Sequence, residues 1–229
     1  MELIRLAFDV ALNLDRYLAE LIRHYGALTY IILFVIVFIE TGLVVVPFLP
    51  GDSLLFAAGT FAALGHFNPL LLFGVLVLAT VLGDSVNFRI GRRVGRSAYR
   101  SRWVRREYLD RTHAYFARHG GKTVFLARFV PIVRTSAPFV AGMTGMPYRS
   151  FLLFNIFGAV AWVGIFVSLG YFFGSLPVVR EHFELAVLVV LLASIAPAVY
   201  HWWKLRNRRL AEAARRSLDA AFSHLRDRH

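Results

Sequence analysis

The sequence predicts an all-α integral membrane protein, a single domain over residues 1–229. It would hold two opposed re-entrant hairpins plus about three full transmembrane helices arranged as an inverted repeat, with amphipathic interfacial helices. Three observations carry this reading. The chain is 58% hydrophobic, and several apolar runs reach the ~20 residues that cross a hydrocarbon core of roughly 30 Å. Two of these runs are interrupted by paired prolines, which lack an N–H and clash with the preceding turn. Ionisable side chains accompany both interruptions, and broken backbone at membrane depth is tolerated only where protein or a wet cavity surrounds it.

Residues 1–25 form the first element. Leu3, Leu6, Val10, Leu14, Leu18 and Leu21 recur at helical steps, with Arg5, Asp9, Asn13, Arg16 and Glu20 on the other side. This is an amphipathic helix, lying on the membrane surface or packed on the protein's own flank. Its scattered acids do not fit a cleaved signal peptide. Residues 26–203 are the membrane core. Residues 26–46 are apolar except for Glu40; then Pro47-Phe48-Leu49-Pro50-Gly51-Asp52 breaks the helix before a second apolar run at 53–64. Residues 70–88 are a clean span ending near Asp84 and Asn87, which either line an exit or are ordinary interfacial residues, the second reading being slightly favoured.

The second interruption, residues 121–146, contains Arg128, Pro131, Arg134 and Pro138. Each arginine near a bilayer centre costs roughly 2.5–3.5 kcal/mol on insertion scales, so the pair calls for anions or water. On one straight helix, six steps of 100° would set them about 120° apart, which turns one toward lipid. A hairpin that points both into a polar pocket avoids this. Two spans follow, at 148–173 and 183–203, and 204–229 is a basic tail with a helical apolar stripe. Pro47 aligns with Pro131, Ala58-Gly59 with Ala141-Gly142 and Gly83 with Gly164, so each half reads as a hairpin followed by a span. One span separates the hairpins, which would therefore enter from opposite sides, as where transporters build midplane sites.

Lys and Arg number 26 against 14 Asp and Glu, a net +12, and their placement orients the chain. Residues 89–122 hold eleven Lys/Arg against two acids, and 204–229 hold eight against three. Basic flanks mark the cytoplasmic side, which places the C-terminus there and offers contact to an anionic lipid surface. Nucleic acid is excluded as a partner, because both clusters abut membrane segments and no recognition motif accompanies them. The chain has no cysteine, which removes disulfides, thiolate nucleophiles and cysteine metal ligands. His66, His113, His119 and His182 lack metal-ligand spacing, and Gly91-Arg92-Arg93-Val94-Gly95 lacks the ending of a nucleotide-binding P-loop. No metal or cofactor is expected.

Taken together, Glu40, Pro50-Gly51-Asp52, Ala58-Gly59, the Gly-Arg-x-x-Gly at 91–95, Arg-Phe-x-Pro-x-x-Arg-Thr at 128–135 and Ala141-Gly142 resemble the DedA family of bacterial membrane proteins, also called SNARE-associated or VTT-domain proteins. The resemblance covers about residues 25–203. Ala127 and Ile132 stand where the family commonly has glycine, and they add bulk near the hairpin tip. It implies lipid translocation in the bacterial inner, or cytoplasmic, membrane. The implied cargo is a lipid phosphate, most simply undecaprenyl phosphate, with coupling or sensitivity to the proton motive force. Phosphatidylethanolamine flipping or scrambling, and proton-coupled transport of a small solute, are the alternatives.

By the same resemblance Arg128 and Arg134 bind substrate, and Glu40 and Asp52 couple protons or cations. An arginine fork holds phosphate bidentately and stays charged when desolvated. Proton uptake by the acids could change the hold on the anion; the competing reading is a buried quartet that only neutralises itself. Thr135 and Ser136 either donate to phosphate or cap the break. No histidine lies beside the arginines to act as a nucleophile, so enzymatic phosphate cleavage is not expected. A homo-oligomer is compatible with the sequence.

Overall fold

A computed structural model describes residues 14–43, 51–98 and 120–174, with isolated positions from 176 to 189. All belong to the larger of two compact units, Met1–Ser194; the smaller, Ile195–His229, lies outside the described residues. So do residues 1–13, residues 44–50 with most of the predicted break, the basic stretch 99–119 and most of the last predicted span.

Every regular element among the described residues is helical. Helix α1 is Leu14–Tyr25 and α2 is Thr29–Gly42, joined by a 3-10 turn over Gly26–Leu28. Gly26 sits at φ +51°, a left-handed conformation that a residue without Cβ adopts freely. Then come α3 (Gly51–Ala63), α4 (Pro69–Ala98), α5 (Gly121–Ala127), α6 (Pro131–Met143) and α7 (Tyr148–Phe173).

Three segments are long and apolar enough to cross a membrane: Arg16–Gly42, Pro69–Gly95 and Tyr148–Phe173. The other three helices are shorter. At 1.5 Å per residue, α3 and α6 each extend about 20 Å and α5 about 10 Å, less than a hydrocarbon core. The first of the long segments takes in most of α1. Leu18 is buried in the main core and Ile22 packs against it, so α1 lies against the body of the protein, the second of the two placements open to its sequence.

Local chemistry explains where the helices begin. Pro69 opens α4, where its missing N–H is no loss, and the Asn68 side-chain oxygen accepts the N–H groups of Leu70 and Leu71. Pro131 opens α6 in the same way, after a turn at 128–130. Pro138 does not add a second break: α6 continues through it, because an interior proline removes one hydrogen bond but leaves the flanking turns intact. One residue along from the Arg134 carbonyl that loses its helical donor, the Thr135 carbonyl accepts the Asn87 side-chain amide at 2.9 Å.

Helix α3 is the centre of the packing. Every residue from Gly51 to Ala62 is buried, so it is surrounded on all faces. In contrast α2 buries one stripe, Leu33, Val37 and Glu40–Gly42, and exposes Ile31, Val35 and Ile39 on the other. Its partner surfaces are α4 and the core beneath it.

Two crossings bring helix backbones together through glycine. On α3 against α7, a Cβ at Gly59 would overlap the Val167 carbonyl, and one at Gly170 would overlap that of Phe56. On α6 against α4, a Cβ at Gly142 would overlap the Phe88 carbonyl, and one at Gly91 that of Phe139. Small residues at such crossings allow the close backbone approach that replaces a hydrophobic drive within lipid.

Candidate functional site

Where these helices meet, the ionisable residues form two adjoining buried centres. The first is built by four elements. Glu40 comes from the last turn of α2, Asp52 from the first turn of α3, Arg134 from the first turn of α6, and Trp162 from the middle of α7. Arg134 Nη1 donates to Asp52 Oδ1 at 2.5 Å, and Nη2 donates to Glu40 Oε1 at 3.0 Å. The indole N–H of Trp162 donates to the same Asp52 oxygen at 2.9 Å. Its ring lies under the guanidinium, 4.4 Å from centroid to Cζ, a cation–π contact worth about 2 kcal/mol when desolvated. Gly51 makes room for the Glu40 carboxylate, which a Cβ there would overlap.

The second centre holds Arg128, the residue that caps α5 and begins the turn at 128–130. Its Nη2 donates to Asp84 Oδ2 on α4 and, at 2.5 Å, to Asn155 Oδ1 on α7. Asn155 in turn donates to the Val81 carbonyl at 3.3 Å. Gly158 leaves space beside the Arg128 side chain, 3.1 Å from where its Cβ would stand. One turn beyond Asp84, Asn87 donates to the carbonyls of Thr41 and Thr135, tying the ends of α2 and α6 to α4.

Of the residues predicted from sequence, the structure joins Glu40, Asp52 and Arg134 directly, while Arg128 pairs with Asp84 instead of either of those acids. Thr135 and Ser136 follow Arg134 on α6 and are half-buried, and the Ser136 hydroxyl donates to the Val133 carbonyl at 3.2 Å. Sequence reasoning missed Trp162 and Asn155, and it undervalued Asp84 and Asn87. A signal existed for each. A tryptophan at the middle of a span is out of place for a residue that favours interfaces, and it stands seven residues, two helical turns, from an intramembrane asparagine.

Charge and hydrogen-bond accounting define what the site can do. Three carboxylates and two guanidiniums sum to 2 − 3 = −1 when all are ionised. Among the described residues, four buried side-chain atoms have no hydrogen-bond partner: Glu40 Oε2, Ser53 Oγ, Asn87 Oδ1 and Arg134 Nε. Each is costly to leave unmet away from water. No group of three His, Asp or Glu residues among those described is arranged to hold a metal ion.

Fold and site define a polytopic helical membrane protein organised around buried, nearly neutralised ionic centres. The comparisons place it further. The VTT domain matches residues 49–172. The chain is 48% identical over 219 residues to Protein DedA of Escherichia coli (strain K12), covering 93% of this chain and 99% of that one. It is 44% identical over 172 residues to an uncharacterized membrane protein of Mycobacterium tuberculosis (strain ATCC 25618 / H37Rv), covering 72% and 74%. It is 33% identical over 176 residues to Inner membrane protein YghB of Escherichia coli (strain K12), covering 76% and 80%. No solved structure gives a significant match. The chain belongs to the DedA family of VTT-domain membrane proteins.

Proposed function

We propose that the protein carries a lipid phosphate across the bacterial inner membrane, with undecaprenyl phosphate as the cargo and protons as the coupling ion. The observation that carries this reading is Arg134. It is a guanidinium at membrane depth, held by two acids and a tryptophan, with its Nε donor unpartnered. A phosphate headgroup needs such a donor in place of water, while its tails stay in lipid. The centre's net −1 supplies the coupling: an anion enters more readily when an acid in the centre takes up a proton, and Glu40 and Asp52 are the acids nearest Arg134. In this reading Arg128 adds its charge from the turn at 128–130 and reaches the phosphate by leaving Asp84, and the Thr135 and Ser136 hydroxyls are further donors to it.

In this reading α2–α3 and α5–α6 are re-entrant hairpins of opposite entry. Their short second limbs support it, as does the exchange of partners: α3 crosses α7 and α6 crosses α4, each by a reciprocal glycine pair. The C-terminus and the basic stretch are assigned to the cytoplasm. The test uses purified full-length protein in liposomes with a labelled polyprenyl phosphate. Transbilayer movement should accelerate without phosphate cleavage, and Arg134→Lys should abolish most of it at unchanged expression. Full movement in that variant would exclude bidentate phosphate binding at Arg134. Equal rates for every phospholipid would replace the reading with a scramblase.

A further inference from the structure

The two acids that hold Arg134 are not equivalent, and their difference assigns them different tasks. Asp52 Oδ1 accepts from both Arg134 Nη1 and the Trp162 indole, so it is fixed from two directions by α6 and α7. Glu40 touches Arg134 through Oε1 alone; its Oε2 is buried without a hydrogen-bond partner of good geometry, and the Gly51 backbone, not a charged or aromatic side chain, faces the carboxylate from the other side. The guanidinium is likewise unequal. Nη1 is committed to Asp52, while the edge formed by Nε and Nη2 has one unpartnered donor and one donor shared with Glu40. That edge is the one that takes two phosphate oxygens side by side.

We infer that Glu40 is the removable half of Arg134's counter-charge: on taking a proton at Oε2 it yields the Nε–Nη2 edge to a phosphate, while Asp52 and Trp162 hold the arginine in place. This rests on the phosphate reading above and names the step that regulates it. With Glu40 ionised, an arriving phosphate oxygen meets a carboxylate at the same nitrogen, and two anions repel there in a medium of low dielectric. With Glu40 neutral, the O–H that replaces the unpartnered oxygen donates to the bound phosphate. The proton comes from water and returns to it when the phosphate leaves, so atoms and charge balance without another reactant. The charged groups facing Glu40 are Asp52 from α3, Asp84 from α4 and Arg134 from α6. On α1, Arg16, Glu20, Arg23 and His24 are exposed.

The test measures binding of short-chain phosphatidylmethanol to the full-length protein in detergent across mildly acidic to mildly alkaline pH. This probe is a phosphodiester whose own charge is constant over the range. Wild type should bind more tightly as pH falls, by up to about tenfold per pH unit, the limit for one proton. Glu40→Gln should bind tightly with no slope. Asp52→Asn should bind more weakly throughout and keep the slope. If Glu40→Gln retains the wild-type slope, or Asp52→Asn loses it, the division of labour is wrong although phosphate binding stands. If wild type binds the probe no better than the matching diacylglycerol at any pH, the phosphate reading itself falls. Should Glu40→Gln not fold, Glu40→Asp decides the point. Shorter by one methylene, it grips Nη2 less well and should bind the probe more tightly than wild type at alkaline pH; equal or weaker binding overturns the inference.

Discussion

Removing the negative charge of Asp84 tests how the turn between α5 and α6 is held. Asp84 is 3% exposed and Arg128 5%, so water does not screen their attraction, and Asp84→Asn preserves shape while leaving a buried guanidinium without its counter-charge. Losing one partner of such a pair costs about 3–5 kcal/mol. Asn155 still accepts from Arg128 at 2.5 Å, which argues for the lower end, about 3 kcal/mol. At ~2–4 °C per kcal/mol for a chain of this size, the unfolding midpoint should fall by roughly 6–12 °C. The assay is heating in detergent followed by fluorescence-detected size exclusion. Adding Arg128→Gln to Asp84→Asn should recover part of the loss, because neither charge is then stranded. Two results would refute the reasoning: a shift under about 2 °C for Asp84→Asn, or simple additivity in the double variant.

Other perturbations separate packing from site chemistry. Gly142→Ala drives a Cβ into the Phe88 carbonyl and should sharply reduce folded yield, whereas Gly164→Ala meets only the Phe73 ring at 3.6 Å and should leave yield unchanged. Trp162→Phe keeps a ring under Arg134 but loses the hydrogen bond to Asp52, so the midpoint should drop by an amount equivalent to about 1–3 kcal/mol, read in the same melt. Asn68→Ala removes the cap of α4 at an exposed position and should cost about 1 kcal/mol with little effect on lipid movement, measured by melt and by liposome assay.

Much of the architecture was legible in one dimension because the bilayer imposes a length. Apolar runs at 26–46, 70–88 and 148–173 had to be helices, since no other open backbone satisfies its own polar groups in lipid. Prolines at 47, 50 and 131 marked interruptions, and Pro131 does begin a helix after a turn. Pro138 was over-read, because proline in a helix is a local defect whose outcome depends on what neighbours replace the missing bond. Cost required that ions of opposite sign inside an apolar region find one another, and the family resemblance named Glu40, Asp52, Arg128 and Arg134 as the set; three of these meet, while Arg128 pairs with Asp84.

What the chain could not show in isolation was which ion meets which. Arg128 and Arg134 look alike in sequence, yet a turn at 128–130 sends one toward Asp84 and Asn155 and the other toward Glu40, Asp52 and Trp162. That choice is made by helix crossings between residues far apart in the chain, such as Gly59 against Val167 and Gly142 against Phe88, whose geometry is set by glycines seated against carbonyls. Hydropathy and spacing thus determined that buried charges exist and must be matched. Only the three-dimensional packing decided the pairing, because a pairing depends on angles and distances between segments that no local pattern encodes.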